Sequence, residues 1–457
     1  MPLDDAEPWV PPTAPFPDRP LTGLRLVQAM RRSMLSIWGR RAYELPIVHG
    51  RLYGRERILV NDPAGVRHVL VENAAAYEKP APTRRLTRPI IGEGVFLSEG
   101  PEWRRQRRVL SPAFTPAHVE QLTPHFADAA DAFTLWLRDR PRTQLLQPLQ
   151  EAALDAASRS MFSQPIGDRS SRIAQLVRVY ASGPGRPNPL DMIANNEGDF
   201  AWLLPGRRRF RRRWLKEVDQ IVAERRARGA GDRADLLELL IEARDPETGE
   251  PFSDSEVRDQ SATMLAAGFE TTAGAMFWTT YLLSRDPGEQ ARIREEVLAD
   301  PPSASLADVG RRWPRLRRAI LEALRLYPSA PLLFRNALQS DEVLGVKVSP
   351  GDIVIIAPWI IHRHRLYWDR PDAFWPDRFE GKEREYLSGG AYLPFGAGPR
   401  ICIGASFALT EASIMLASLF SRYEIRLDDD RDLVPRSVIT TTPSIDPWFG
   451  VEAATPR

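Results

Sequence analysis

The stretch LPFGAGPRICIG, residues 393–404, contains Cys402, the single cysteine of a 457-residue chain. Gly396, Gly398 and Gly404 lie on both sides of it. Glycines let a flat ligand approach the backbone closely, and the amide groups of such a turn can donate hydrogen bonds to a thiolate. A lone cysteine is more often a small buried apolar residue, which predicts apolar neighbours at helical or strand spacing. The glycines around Cys402 favour a ligand site instead.

Arg400 lies two residues before the sulfur and can neutralise an anionic group on the same ligand. A thiolate ligand, a planar partner and a nearby anion together describe heme. The stretch resembles the heme-binding signature of the cytochrome P450 family, Phe-x-x-Gly-x-x-x-Cys-x-Gly, at Phe395, Gly398, Cys402 and Gly404. The resemblance implies heme b (iron protoporphyrin IX), with Cys402 as the iron ligand. Phe395, Gly398, Arg400 and Gly404 are the implied cofactor-binding residues of this loop.

A second motif is MLAAGFETTAG, residues 264–274, within a long apolar stretch. A threonine inside a helix often bonds to its own backbone, and a glycine there costs about 1 kcal/mol relative to alanine. Ala267, Gly268, Glu270 and Thr271 match the family segment that crosses the distal heme face. The resemblance implies that Gly268 leaves room for O2, Thr271 hydrogen-bonds it, and Glu270 relays protons from solvent.

Arginines that match the family's propionate-binding positions form a third motif. Trp103 and Arg107 in PEWRRQRRVLSPAF match the family's Trp-x-x-x-Arg, which contacts a heme propionate. Arg335, in LLFRNAL, lies where the family carries another propionate-binding arginine, although the spacing of this loop varies. The resemblance therefore implies that Trp103, Arg107 and Arg335 bind the cofactor.

The segment LEALRLYP carries Glu322 and Arg325, which are three residues apart and share one helix face. Most such pairs are solvated surface ion pairs. In the family, a Glu-x-x-Arg helix pairs with an arginine of a later segment, and FWPDRF supplies Arg378 here. The resemblance implies a buried network of these three residues that supports the heme loop and acts in folding.

The periodicity predicts a mainly α fold with a minor β portion. Residues 47–61 alternate like a hairpin, strand-like pieces recur between 341 and 359, and residues 183–206 form a candidate mobile loop. The resemblance implies the cytochrome P450 fold over 1–457 as a single domain with a proline-rich leader at 1–22. It places heme between the long central helix and the helix after the cysteine loop. Predicted helices lie near 116–140, 144–163, 206–228, 253–285, 287–300, 313–327 and 403–421.

Composition narrows the function classes. The 62 basic and 60 acidic residues give a formal net charge of +2, which argues against nucleic acid as a partner. No stretch reaches the ~18 apolar residues of a membrane span, and the leader does not read as a signal peptide. A single cysteine excludes an intramolecular disulfide framework and favours a reducing compartment. We therefore expect a cytoplasmic protein.

The resemblance implies a monooxygenase that inserts one oxygen atom from O2 into a C–H bond of a hydrophobic small molecule. Too little chain follows Cys402 for a flavin or iron–sulfur domain, so we expect a separate electron donor. Arg104, Arg105 and Arg108 suggest a basic patch for an acidic ferredoxin with its reductase, and a merely solvated arginine face is the alternative.

Two other function classes remain open at this point: a heme-thiolate isomerase or dehydratase, and a non-catalytic heme-binding sensor. The Glu270–Thr271 pair favours the monooxygenase. The resemblance places the substrate between apolar walls, which favours a medium-sized terpenoid, fatty acid, steroid or aromatic compound. Arg84, Arg85 and Arg88 are candidate anchors for a carboxylate, and the alternative is that they are solvated, as loop arginines more often are. The predicted walls are loop 83–97, helix face 264–271, segment 329–334 and turn 438–443.

Two further clusters have structural interpretations. His362 and His364 lack acidic or thiol partners at metal-ligand spacing, so we expect them to be structural. The run Arg207–Arg213 surrounds Phe210, and Trp214 follows one helical turn later. A helix that buries both aromatic rings and exposes the arginines is expected, with contact to a membrane or a partner as the alternative.

Overall fold

The computed structural model describes residues 9–19, 21–52, 55–163, 169–188, 190–191, 194, 198, 203–228, 235–303 and 305–454. Helices dominate these residues, as the periodicity predicts. They are α1 (Gly23–Arg32), α2 (Pro63–Arg67), α3 (Ala81–Ile91), α4 (Gly100–Leu110), α5 (Pro116–Leu137), α6 (Leu146–Phe162), α7 (Arg169–Ser182), α8 (Pro205–Arg228), α9 (Leu236–Glu242), α10 (Asp254–Ser284), α11 (Pro287–Ala299), α12 (Val309–Arg312), α13 (Pro314–Leu326), α14 (Pro358–Ile361), α15 (Glu383–Ser388) and α16 (Ala405–Arg422).

The minor β portion forms small sheets. The largest has the strand order β1-β2-β8-β5-β3, and a second has the order β4-β12-β9. Only the β2–β8 pair of the large sheet is parallel. The strands are β1 (Ile47–Leu52), β2 (Arg55–Val60), β3 (Tyr77–Glu78), β4 (Arg142–Gln144), β5 (Leu333–Ala337), β6 (Asp341–Val343), β7 (Val346–Val348), β8 (Ile353–Ile356), β9 (Tyr423–Leu427), β10 (Pro435–Ser437), β11 (Thr441–Pro443) and β12 (Trp448–Ala453).

The predicted hairpin at 47–61 is confirmed, because β1 and β2 pair antiparallel from Ile47 opposite Val60. The predicted helices are confirmed to within a few residues at each end. The central helix α10 begins with a capping box, in which the Ser253 hydroxyl accepts from the Glu256 amide and the Glu256 carboxylate accepts from the Ser253 amide. This helix packs against α6, α13 and α16, which places it in the middle of the core.

The prediction of a loop over 83–97 is wrong for its first part, because Ala81–Ile91 is helix α3. Pro82 in the first turn is favourable for a helix start, since its missing amide hydrogen would have no partner there anyway. Arginines interrupt the apolar residues of this helix, so its sequence lacks the clear apolar periodicity by which helices are predicted. Only residues 92–97 remain a turn-rich connection.

The described part of the leader packs on the folded chain. Ala14 is buried, the Tyr327 hydroxyl donates to the Pro12 carbonyl at 2.8 Å, and the Phe374 amide donates to the Trp9 carbonyl at 3.1 Å. Residues 1–8 and 20 of the leader lie outside the described residues. So do 189, 192–193, 195–197 and 199–202, and the candidate mobile loop at 183–206 therefore stays a prediction. None of the described helices combines the length and the apolar character needed to span a membrane.

Candidate heme site

The cysteine loop is a tight turn directly before α16. The Cys402 amide donates to the Phe395 carbonyl at 2.9 Å, which closes the loop. Gly396 and Gly398 have φ values of 74° and 70°, in the left-handed region that favours glycine. A Cβ on Gly398 would lie 1.9 Å from the Leu70 carbonyl oxygen. The sequence therefore needs glycine at 398 to let the loop pass the neighbouring backbone.

Protein atoms surround the thiol of Cys402 closely, and the residue nevertheless retains accessible surface. Burial raises the pKa of this thiol, while the Gly404 amide and the charge of Arg107 lower it, and burial prevails. A bound metal ion deprotonates a coordinating thiol outright. Arg107 is half-buried, and its positive charge interacts electrostatically with the Cys402 sulfur.

Helix α10 brings Ala267, Glu270 and Thr271 to one cavity wall, and Gly268 lies between them on the same helix. The Thr271 hydroxyl donates to the Ala267 carbonyl at 2.6 Å. This hydrogen bond to the backbone of the preceding turn is common for threonine in helices. A Cβ on Gly268 would meet no atom within 4 Å. The Glu270 carboxylate accepts from the Thr440 hydroxyl at 3.0 Å. Ala267, Glu270 and Thr271 all line the cavity.

A cluster of cations lies beside the start of α4. The Arg400 guanidinium lies 4.0 Å from the centroid of the Trp103 ring, donates to the Ser98 carbonyl at 2.8 Å and pairs with the Glu99 carboxylate. Arg335 is close enough for its charge to act on both Arg400 and Glu99. The structure thus brings three of the sequence-predicted cofactor residues, Trp103, Arg335 and Arg400, into one group.

The cavity has a volume of about 950 Å³ and is mostly apolar. The predicted walls from the α10 face, from Leu332 to Phe334 and from Val438 to Thr440 all line it. Helix α3 supplies a wall that was expected to be a loop. Helix α1 contributes Leu26 and Met30, which the sequence pattern did not indicate. Leu21 of the leader lines the cavity as well, so the leader and α1 both form part of its wall.

The residues present fit a heme. An accessible thiol suits an iron ligand, the open space over Gly268 suits a small diatomic molecule, and the cations beside Trp103 suit a group with anionic edges. The sequence model of the family described as Cytochrome P450 matches residues 15–445. The chain belongs to the cytochrome P450 family. Its cofactor is heme b, and it is a cytochrome P450 monooxygenase.

Similar proteins agree with this assignment. Cyclooctatin synthase of Streptomyces melanosporofaciens is 33% identical over 408 residues, which cover 87% of this chain and 86% of that protein. Cyclooctat-9-en-7-ol 5-monooxygenase of the same organism is 31% identical, with 92% of this chain and 90% of that protein covered. The crystal structure of the heme domain of cytochrome P450DA superposes with a TM-score of 0.78 at 28% identity over 90% of both chains.

The network predicted to support the P450 cysteine loop is confirmed. Glu322 and Arg325 are fully buried, and their side chains meet at 2.7 Å, while Arg378 approaches the same carboxylate at 3.1 Å. Burial raises the pKa of Glu322, but the two guanidinium groups more than offset this and hold it below its usual value. Arg325 also donates to the carbonyls of His362, Pro371 and Ala373, so the network fixes the chain that precedes the cysteine loop.

His362 has a structural role that joins this network to the cysteine loop. Its Nε2 accepts from the Leu393 amide at 2.7 Å, and its Nδ1 lies 3.2 Å from the Arg325 carbonyl. These partners require a neutral ring with the proton on Nδ1. His364 bonds the Leu45 carbonyl at 3.1 Å. Both histidines are therefore structural, as expected, and the described residues contain no cluster of three or more His, Cys, Asp or Glu able to hold a metal ion.

Acids of the chain neutralise most of the predicted basic patch of Arg104, Arg105 and Arg108. Arg105 pairs with Glu102 and Glu256, and Arg108 pairs with Asp245 and Glu247, so only Arg104 of the proposed patch is exposed. Glu102 lies on α4 itself, whereas Asp245, Glu247 and Glu256 are far away in sequence and reach these arginines through packing.

The candidate carboxylate anchors are also engaged with acids of the chain. Arg84 bonds Glu78 at 2.9 Å, Arg88 bonds Glu93 at 2.7 Å, and Arg85 lies in a buried ion pair with Asp191.

The arginine-rich helix α8 folds as expected around its aromatic residues. Phe210 and Trp214 are buried, and their rings stack with centroids 6.4 Å apart. Arg207 is buried against Asp191 at 2.7 Å, whereas the other arginines of the run remain partly or fully exposed. Contact of this run with a membrane or a partner stays a prediction.

Proposed function

We propose that Cys402 is the axial thiolate ligand of the heme iron. The observation that carries this proposal is the accessible thiol in a glycine-lined loop, with the positive charge of Arg107 beside it. Phe395, Gly398 and Gly404 shape the loop, and Trp103, Arg107, Arg335 and Arg400 hold the propionates. Heme with a thiolate ligand supplies the chemistry that activates O2 and transfers one oxygen atom to a C–H bond.

The chain's own residues position the substrate, exclude water and move protons. Gly268 leaves space on α10 where a side chain would block O2. Thr271 turns its hydroxyl from the Ala267 carbonyl toward the cavity and donates a hydrogen bond there. Glu270, held by Thr440, passes protons to that hydroxyl from the solvent side. This Glu270–Thr271 pair supports a monooxygenase over an isomerase, a dehydratase or a sensor, none of which needs a proton supply for O2.

The substrate is a medium-sized hydrophobic molecule with a cyclic skeleton and few oxygen atoms. The mostly apolar cavity of about 950 Å³ supports this class, because it suits a body of that size. Ion pairs between Arg84, Arg85 and Arg88 and acids of the chain argue against a fatty acid anchored by its carboxylate. A relative named for its action on cyclooctat-9-en-7-ol, an alcohol, points the same way.

Electrons reach the heme from a separate ferredoxin with its reductase. An iron–sulfur cluster needs several cysteines, and this chain has one. Because Arg105 and Arg108 pair with acids of the chain, the docking face relies on Arg104 and on other exposed basic residues.

Spectroscopy of the purified protein tests the ligand and the substrate together. Wild type should show the red-shifted ferrous–CO band of a thiolate ligand, and C402S should lack it while it retains the fold. A panel of cyclic hydrocarbons and alcohols should then produce a saturable low-spin to high-spin shift. Absence of the thiolate band in wild type would overturn the assignment of Cys402. Substrate turnover without O2 or NADH would instead support the isomerase or dehydratase.

A further inference from the structure

Three cations converge on one carboxylate at the edge of the proposed heme site. The Lys79 ammonium lies 3.7 Å from the Glu99 carboxylate, and the Lys79 backbone amide donates to it at 3.1 Å. Arg400 pairs with the same carboxylate, and the charge of Arg335 acts on it as well. Arg84, nearby, already forms an ion pair with Glu78 at 2.9 Å. The group of Lys79, Arg335, Arg400 and Glu99, here called the edge cluster, therefore carries a surplus of positive charge.

Glu99 lies at the N-terminus of α4, at the position where a side chain can cap the helix by accepting hydrogen bonds from its first amides. It is the N-cap residue of α4, with extended backbone angles of φ −130° and ψ 167°, and yet its side chain makes no capping bond. A cap accepts from the amides of the first turn. The Glu99 carboxylate turns to the cations instead. Its side chain is 22% exposed and that of Lys79 is 10% exposed, so both charges are largely shielded from water.

The surplus charge of the edge cluster matches what heme brings. When Lys79 is protonated, three cations and one carboxylate leave two positive charges, and iron protoporphyrin IX carries two propionates. Burial without full compensation is costly for a charged group. Lys79 shows this cost, since burial and then the charge of Arg400 lower its pKa to about 7.

We propose that Glu99 is a built-in counter-ion that holds the propionate-binding cations together in the heme-free protein and competes with the propionates in the loaded protein. The inference rests on the proposed heme-thiolate site and adds Lys79 and Glu99 to it. Glu99 lowers the repulsion between Lys79, Arg335 and Arg400 before heme arrives. Once the propionates are present, its negative charge repels them and occupies a donor group of Arg400.

The variant E99Q separates this role from ordinary structural support. Heme transfer from E99Q to an excess of apo-globin should be about tenfold slower than from wild type, because one repelling charge is removed from a partly buried site. The heme-free form of E99Q should unfold at a lower temperature, since the cations lose their counter-ion. A residue with only a structural role would weaken both forms together. The reduction potential should become more positive, because a negative charge near the iron disfavours the reduced state.

E102Q provides the matched control. Glu102 lies one turn further along α4, its side chain is 51% exposed, and it pairs with Arg105 outside the edge cluster. E102Q should match wild type in heme transfer and in potential. Equal or faster heme transfer from E99Q than from E102Q would overturn the proposal, and so would an unchanged heme-free stability.

A second variant keeps the test decisive if E99Q folds poorly. K79M removes one cation and should speed heme transfer, and E99Q should lower the unfolding temperature of the heme-free protein less in the K79M background than in wild type, because fewer cations then need the counter-ion. Additive effects of the two substitutions would contradict the proposal. Failure of wild type to bind heme through a thiolate would overturn the proposed site itself and is read from the spectrum before any variant is compared.

Discussion

The Thr440 hydroxyl donates a 3.0 Å hydrogen bond to the Glu270 carboxylate and thereby joins the turn before β11 to the middle of α10. Burial raises the pKa of Glu270, while this hydrogen bond and the charge of Arg178 lower it, and burial prevails. A donor to a carboxylate favours its ionised form and fixes its direction. Thr440 is therefore a positioning residue for the group that is proposed to deliver protons.

Replacement of Thr440 should impair proton delivery without disturbing the heme. In T440V the pKa of Glu270 should rise further, so the alkaline limb of the pH–rate profile, where Glu270 loses its proton, should move to higher pH. Product formed per O2 consumed should fall by about 3- to 10-fold, a loss in line with the ~1 kcal/mol of one hydrogen bond. T440S keeps the hydroxyl and should retain the wild-type profile. A T440V profile that coincides with that of wild type would contradict the role of Thr440.

The buried Glu322 should be far more important for stability than a surface acid. E322Q leaves Arg325 and Arg378 as uncompensated buried charges, which should lower the free energy of unfolding by about 3–5 kcal/mol. The control is E383Q, because the Arg317–Glu383 pair is partly exposed and should cost less than about 1 kcal/mol. Denaturant unfolding of both variants gives the comparison. Similar losses in the two variants would contradict the proposed weight of the buried network.

Local patterns made part of the site predictable from sequence. The glycines around Cys402 and the spacing of Glu322 and Arg325 lie within one turn or one loop, so the sequence displays them directly. The length and apolar content of residues 253–285 predict the central helix α10. The sequence does not show the edge cluster, because Lys79 and Glu99 come into contact only where the start of α3 packs against the start of α4.

The ion pairs of the predicted basic patch escape sequence reasoning for the same physical reason. Arg105 pairs with Glu256, which lies on α10, and Arg108 pairs with Asp245, which lies in the segment before that helix. Charge pairs across such distances depend on packing, which periodicity does not encode. The cytoplasmic location, the single-domain organisation over 1–457 and the roles of the site residues stay predictions, and the experiments above address the last of these.

Acid should weaken the attachment of the cysteine loop through His362. Burial lowers the pKa of His362 to about 3, from an ordinary value near 6.5. Between these values the unfolded chain binds a proton that the folded chain does not, so stability falls as pH drops. The slope for one proton is about 1.4 kcal/mol per pH unit. Because the Leu393 amide already donates to Nε2, a second ring proton would break that bond.

Denaturant unfolding at several pH values between about 7 and 5 measures this slope. H362Q cannot gain a proton, so its free energy of unfolding should depend less on pH than that of wild type, although its stability at neutral pH should be lower. His49 is exposed on β1, and H49Q controls for the loss of an imidazole. Parallel pH dependences for wild type and H362Q would show that His362 does not set the acid sensitivity.

Two glycines with almost the same backbone conformation should respond differently to alanine. Gly398 has φ +70° and Gly381 has φ +68°, so either substitution costs the ~1–2 kcal/mol of a left-handed alanine. A Cβ at 398 would also lie 1.9 Å from the Leu70 carbonyl, whereas a Cβ at 381 would meet nothing within 4 Å. G398A must therefore displace the cysteine loop or the backbone at Leu70.

We expect G381A to bind heme like wild type with a modest loss in the free energy of unfolding. G398A should lose heme at least in part, and its thiolate–CO band should weaken or shift because the loop cannot keep its conformation. The comparison isolates steric contact from backbone strain, since strain is common to both variants. If G398A kept the wild-type spectrum and lost no more stability than G381A, close passage of the loop over Leu70 would not be what requires glycine in the heme-binding signature.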